Sequence, residues 1–416
     1  MSSGGTDAKT AVEAVWRIEA ARVIAGVARL VGDVGLAEEL AQDALVAALE
    51  QWPAEGVPRN PGAWLMTTAK RRAIDTIRRQ QVLQKHLPAL ALDERLDDPA
   101  LDAVLEQEPI EDDLLRLIFT ACHPVLKPEA RVALTLRMLG GLSTDEIARA
   151  FLVPDPTVGQ RISRAKKALA DAKVPFELPT GEARTERLSS VLEVIYLIFN
   201  EGYSATAGDD WMRPALCEEA MRLGRVLAGL MPSEPEVHGL VALLEIQASR
   251  AAARTAPDGS PITLLDQDRR RWDRLLITRG LAALDRAESL GGGTYTLQAA
   301  IAACHARAHT AAETDWAEIA ARYADLAALA PSPIVELNRA VAVSMADGPS
   351  AGLAVLEPLL EDPALRGYHL LPSVRADFLF RLGRLPEARA EFERAAAMTR
   401  NERERTMLLT RAEACG

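Results

Sequence analysis

Apolar positions recur at helical spacing along nearly the whole chain, and residues 158–169 show it most sharply. Val158, Ile162, Ala165 and Leu169 fall on one stripe, Gln160, Ser163, Arg164 and Lys167 fall opposite, and Arg161 and Lys166 flank them. Just upstream, Ser143 to Glu146 spell a capping box, in which serine and glutamate satisfy each other's backbone donors. Ile147, Ala148 and Phe151 supply its apolar contacts, and Val153-Pro154 breaks the helix. Asp155 suits an N-cap and Pro156 a first helical position. Residues 141–169 therefore read as a helix-turn-helix. A second helix with one apolar face and a Thr157, Gln160, Arg161, Ser163, Arg164, Lys167 face suits a major groove, where phosphates take the charges and base edges take Gln and Arg. The same pattern also describes a surface hairpin with a solvated basic face.

Similar periodicity predicts three helices nearer the N-terminus. Residues 11–31 carry Val15, Ile18, Val23, Ile24, Val27 and Leu30 on one face. Residues 35–51 turn Leu36, Leu40, Ala44, Leu45 and Leu49 inward and Glu38, Glu39, Gln42 and Asp43 outward, and Trp52-Pro53 is expected to end that helix. Asn60 caps a third helix with Pro61 in its first turn, and Leu65, Ala69, Ala73 and Ile77 form its stripe. Arg71 with Arg78, and Arg72 with Arg79, lie seven residues apart on its outward side. Beyond the helix-turn-helix, helices are expected near 186–200, 211–230, 234–254, 268–290, 294–310 and 315–329. Residues 380–399 are similar to half of a tetratricopeptide repeat, with Leu382-Gly383 at the turn and Ala388, Phe392 and Ala395 at packing positions. Residues 344–362 echo them about one repeat earlier. With few β-branched or aromatic runs, the fold class is all-α.

Charge changes this picture locally. The 416-residue chain has a net charge of −11, which argues against a general affinity for nucleic acid. Yet residues 59–85 hold seven Lys/Arg against one acid, and residues 93–113 hold ten acids against one Arg. The second run reads as a poorly ordered acidic linker. Four scattered cysteines without a Cys-x-x-Cys motif fit reduced thiols in a cytoplasm. The polar N-terminus has no signal-peptide core, and no apolar run reaches membrane-spanning length.

Two helical units, each with a basic helix and joined by an acidic linker, resemble bacterial sigma factors of the extracytoplasmic-function (ECF) group. GDVGLAEELAQDALVAALEQWP is similar to the helix that docks on the clamp of core RNA polymerase, and NPGAWLMTTAKRRAIDTIRRQ to the promoter-melting segment. The run from Asp112 to Leu169 looks like region four. The resemblance implies region two over 11–85, an acidic linker over 86–112, region four over 113–172, a second linker over 173–185 and a helical, tetratricopeptide-like regulatory domain over 186–416. It implies a cytoplasmic, non-enzymatic protein without a cofactor, whose partners are the β-prime clamp and β flap of core polymerase, promoter DNA and, for the repeats, a further protein. Asp33, Glu38, Glu39, Gln42 and Asp43 would face polymerase. Lys70, Arg71, Arg72, Arg78 and Arg79 would neutralise phosphates near the minus-ten element. Trp52 and Trp64 either stack on unpaired bases or belong to the core. The acidic linker either threads the polymerase or is a spacer. Arg71 and Gly159 depart from residues common in the group, so promoter preference does not carry over.

One run interrupts the C-terminal helices. Asp258-Gly259-Ser260-Pro261 signals a turn, and Asp266-Gln267-Asp268-Arg269 follows. A similar segment occurs in ECF factors with repeat-containing extensions. It reads either as a regulatory docking loop or as a plain interhelical loop capping Arg269 and Trp272. His305, His309 and Cys304 lack a third ligand at recognisable spacing, and Gly291-Gly292-Gly293 follows no strand. Two other functions compete: a one-component regulator with a ligand-binding repeat domain, and a helical enzyme with its site in 180–416. No catalytic constellation supports the second. The Glu38–Asp43 and Lys70–Arg79 helices argue against the first.

Overall fold

The structure, a computed structural model, describes residues 3–85, 110–151, 153–203, 212–256, 262–399 and 402–416. Nearly all of the acidic linker and the Asp258–Pro261 turn lie outside them. The described residues are helical, without a β-ladder, and no helix among them is long and apolar enough to cross a membrane. Two compact bodies result, residues 1–197 and 198–416.

The first body begins with α1 (Ser3–Val31), α2 (Val34–Glu55) and α3 (Pro61–Lys85), which pack on one another. Val23, Ile24, Val27, Leu40, Ala44, Leu65, Ala69 and Ala73 are buried among them. Asn60 Oδ1 accepts the amide of Ala63 at 3.1 Å, as its N-cap reading requires. The second helix does not stop at Trp52. It runs through Pro53 to Glu55 and ends where Gly56 takes φ 86°. A proline this close to the C-terminus removes one hydrogen bond without blocking the last turn. Ile18, expected inward, is instead exposed.

Next come α4 (Ile110–Ala121), α5 (Pro128–Met138), α6 (Thr144–Phe151) and α7 (Asp155–Asp171). The end of the acidic run, from Ile110 on, is therefore helical, and Asp113 is buried rather than part of a spacer. The capping box forms as read: Ser143 Oγ accepts from the Glu146 amide at 3.1 Å and Glu146 Oε2 from the Ser143 amide at 2.8 Å. The helix after it starts one residue early, with Pro154 as N-cap and Asp155 already helical, its side chain making no cap bond. After α7, α8 (Gly181–Tyr203) contributes the part up to Leu197 to this body. Ser190 Oγ donates to the Cys122 carbonyl at 2.5 Å, and Arg131 of α5 donates to Ser190 and, at 2.9 Å, to Glu193.

In the second body α9 (Pro214–Leu230), α10 (Pro235–Ala248), α11 (Arg274–Ser289), α12 (Thr294–Arg307) and α13 (Trp316–Leu329) match the predicted segments, apart from shorter ends on α10 and α11. The helix expected from residue 268 begins at Arg274, because Asp273 caps it through the amides of Leu275 and Leu276. Two helix pairs close the chain: α14 (Pro333–Asp347) with α15 (Pro349–Leu356), and α16 (Leu370–Arg381) with α17 (Leu385–Met398), followed by α18 (Glu402–Glu413). Each pair turns on a left-handed glycine, Gly348 at φ 95° and Gly383 at φ 75°. Ala388, Phe392 and Ala395 are fully buried, as the repeat pattern requires.

Candidate nucleic-acid interface

Helix α7 is built as the stripe predicts. Val158, Ile162, Ala165 and Leu169 are buried against α5 and α6, while Gln160, Ser163, Arg164 and Lys167 are exposed and Thr157 and Arg161 half-buried. Lys167 pairs within its own helix, with Asp171 at 3.0 Å. Arg164 and Gln160 stand on the same open face, the arrangement a groove-binding helix needs.

On α3, Arg71, Arg78 and Arg79 are exposed, and Arg72 is half-buried beside Asp43 of α2 at 3.2 Å. Lys70 is half-buried. Burial and the neighbouring Arg29 hold its ammonium below the usual lysine range, opposed by Asp113. The five cations thus do not form one uniform phosphate-binding face: three are exposed and two are half-buried. Trp52 is 2% exposed and meets Trp64 edge-on at 5.5 Å between ring centres, so the core reading holds for Trp52. Trp64 is half-buried and keeps a wet edge.

The acidic helix is divided. Glu39 and Asp43 are exposed and Gln42 half-buried. Asp33 caps α2, its Oδ1 accepting the Leu36 amide at 2.9 Å. Glu38, expected on the outward face, is instead 4% exposed, because Arg137 and Lys166 cover it. Sequence reasoning left both cations without a role; their pairing joins residues 99 and 128 positions apart, and no local pattern marks it.

Residues 266–269 alternate. Asp266 and Asp268 face solvent, Asp266 accepting from Thr263 Oγ1 at 2.6 Å and Asp268 pairing with Arg270 at 3.0 Å. Gln267 and Arg269 are buried, so the docking reading does not extend to these two positions, whereas the reading of an interhelical loop that holds Arg269 fits them. Arg269 binds the carbonyls of His305 and Ala308 at 2.8 and 3.0 Å and Thr314 Oγ1 at 2.8 Å.

Comparison with known proteins agrees with this architecture. Residues 17–82 match sigma-70 region 2, residues 116–169 match sigma-70 region 4, and residues 187–288 match a family of unknown function, DUF6596. The chain is 47% identical over 375 residues to an uncharacterized protein of Rhizobium meliloti, covering 89% of this chain and 88% of the relative. It is 30% identical over 153 residues to the ECF RNA polymerase sigma factor SigK of Mycobacterium bovis, covering 36% of this chain and 78% of the relative. It is 24% identical over 173 residues to the probable ECF RNA polymerase sigma factor SigI of Mycobacterium tuberculosis, covering 42% and 59%. No solved structure matches it.

Proposed function

The chain belongs to the ECF group of the sigma-70 family, with a helical C-terminal extension, and from that premise we propose how its residues divide the work. The exposed Glu39 and Asp43 on α2 face a basic surface of core polymerase. Arg71, Arg78 and Arg79 on α3 take phosphates near the minus-ten element, and α7 reads the minus-thirty-five element. The observation that carries this reading is the two-sided α7, with its apolar stripe buried and Gln160, Ser163, Arg164 and Lys167 open. A bidentate side chain on a base edge contributes about 1–3 kcal/mol of discrimination. Arg164→Ala and Gln160→Ala are therefore expected to relax sequence preference, whereas Lys167→Ala lowers affinity on every sequence and flattens its salt dependence. Binding curves on promoter and scrambled duplexes at several salt concentrations separate the two. Equal losses on both duplexes for all three variants would reduce the helix to a phosphate contact.

The extension, we infer, regulates in cis, since a tethered domain acts at high effective concentration. Asp266 and Asp268, both exposed, are its candidate contact residues. The test is transcription in vitro with core polymerase, comparing the full chain, a chain ending after Tyr203, and Asp266→Ala with Asp268→Ala. The shortened chain must keep Ser190 and Glu193, because they hold Arg131 of region four. Both changes are expected to shift promoter-dependent transcription in the same direction. Full-length rates from both would refute cis regulation and direct attention to an outside protein partner of the repeats.

A further inference from the structure

Inside residues 198–416 three stretches of chain meet around one indole ring. The amide of Asp273 donates to the Ser249 carbonyl at 2.9 Å, which pins the Arg269–Arg271 turn to the end of α10, and Arg269 reaches from that turn to the end of α12. Trp272, 3% exposed, sits where they join. Two guanidiniums lie over its ring, that of Arg269 at 5.2 Å from the ring centre and that of Arg250 at 5.8 Å. Arg250 donates to the Tyr203 hydroxyl at 2.6 Å and to Gln247 Oε1, and Arg269 donates to two backbone carbonyls and the Thr314 hydroxyl. Every hydrogen-bond acceptor that the described residues give these two cations is therefore neutral. The carboxylate that opposes the Arg269 charge, Glu313, is exposed and already accepts from the amides of His309 and Thr310. Burial first, then Arg250, hold Arg269 below the usual arginine range, and burial and the same two cations press His305 down. Three polar atoms here are also buried without a hydrogen-bond partner among the described residues: Arg269 Nε, Trp272 Nε1 and His305 Nδ1. Their side chains belong to residues more than nine-tenths buried. Buried polar groups are nearly always paired, and buried cations without a counter-charge are costly, so both together in one place point to a ligand.

We propose that this nest binds a phosphate dianion, as the free ion or as the phosphate group of a small metabolite, with Arg250 and Arg269 supplying the charge and the Trp272 indole N–H and Arg269 Nε–H donating to its oxygens. Charge selects the class. A phosphate group carries about −1.5 to −2 at neutral pH, which matches two guanidiniums, whereas a carboxylate carries one charge. Both orphaned donors are fixed N–H groups, and guanidinium is the side chain best suited to phosphate oxygens. Neutral His305 can add a third donor through the tautomer protonated at Nδ1. Enclosure selects the size. Arg269, Trp272 and His305 are buried, and only the half-buried Arg250 and Tyr203 give the nest an edge toward solvent. A nucleic-acid backbone or an acidic peptide needs an open groove, so the ligand is a small molecule.

Isothermal titration of the full-length chain tests this without polymerase or DNA. Sodium phosphate at neutral pH, in sodium chloride of constant ionic strength, is expected to bind saturably with a dissociation constant below about 1 mM. Sodium acetate should bind at least about tenfold more weakly, and that comparison on the native chain needs no variant. Trp272→Phe keeps a ring beneath the two guanidiniums but removes the indole N–H, and Arg250→Gln removes one charge. Each should weaken phosphate binding about tenfold or more, with circular dichroism reporting that the variant is folded. Arg270→Ala removes an exposed cation paired with Asp268, next to Arg269 in the chain, and should leave the affinity unchanged. Ribose 5-phosphate separates the two sources of the group: tighter binding than inorganic phosphate assigns the nest to a phosphate ester, and equal or weaker binding to the free ion. Absence of saturable binding by both, equal affinity for acetate, native affinity in folded Trp272→Phe and Arg250→Gln, or an equal loss in Arg270→Ala would each overturn the site.

Discussion

Arg269→Ala is expected to destabilise the C-terminal body by about 3–5 kcal/mol, among the largest losses a single side chain here can produce. Arg269 is 4% exposed and its guanidinium bonds three acceptors: the carbonyls of His305 and Ala308, where α12 finishes, and the Thr314 hydroxyl just before α13. The last carbonyls of a helix have no partner within it and carry the negative end of its dipole, so a buried cation there is doubly favoured. Alanine leaves those acceptors without a donor and opens a hole beside the Trp272 ring, over which the guanidinium lies at 5.2 Å. Arg269→Lys keeps the charge but not the planar fork, and should recover less than half of the loss. Asp268→Ala, one position earlier but exposed, should change stability by no more than about 0.5 kcal/mol. Urea unfolding of the full chain followed by tryptophan fluorescence reads all three. An Arg269→Ala protein with the native midpoint would show that the fork is dispensable.

Acidification is expected to act through His305, the second large effect. This imidazole is buried edge-on against Trp316 with ring centres 5.1 Å apart. Burial first, then the nearby charges of Arg250 and Arg269, press its pKa from 6.5 to about 4. The folded chain therefore keeps His305 neutral while the unfolded chain protonates it near its ordinary value. Stability from this group is fully present above pH 6.5 and falls as the pH drops from there to about 4, by about 3 kcal/mol in all. His305→Phe keeps a ring against Trp316 and removes the titration. The difference between native and variant unfolding free energies, followed from pH 7.5 to pH 4, isolates the contribution. Parallel curves would mean that His305 reaches solvent and titrates normally in the fold.

What was legible in the sequence follows from the range of each interaction. The stripe of α7, the Ser143–Glu146 box and the Asn60 cap all close within a turn or two of helix, and each stands in the structure as read. Glu38 did not, because its environment is set by two cations from another part of the chain. Its neighbour Glu39, one position on, faces solvent as expected. The outward face of α2 was therefore correct as a periodicity and wrong at the one position where another element lands. At Arg269 two readings stayed open, a docking loop and an interhelical loop capping it, for the same reason. A run of Asp, Gln, Asp and Arg looks like a polar loop, and only the approach of the α12 terminus decides which of its members turn inward. Trp52 and Pro53 show a smaller limit. Proline forbids a helix interior far more firmly than it forbids the last turn, so the stop signal fell a few residues early.

The left-handed glycines at Gly348 and Gly383 stand 35 residues apart, each at the hinge of an antiparallel helix pair. A spacing that equals one structural unit sets a rule for how such a tail can grow. Adding or deleting a few residues inside a pair would rotate its apolar stripe away from the next pair, whereas adding a whole unit only lengthens the stack. Natural variation in the length of this tail among related chains should therefore be quantised, in steps of about 35 residues, with the odd insertions confined to the turns between pairs.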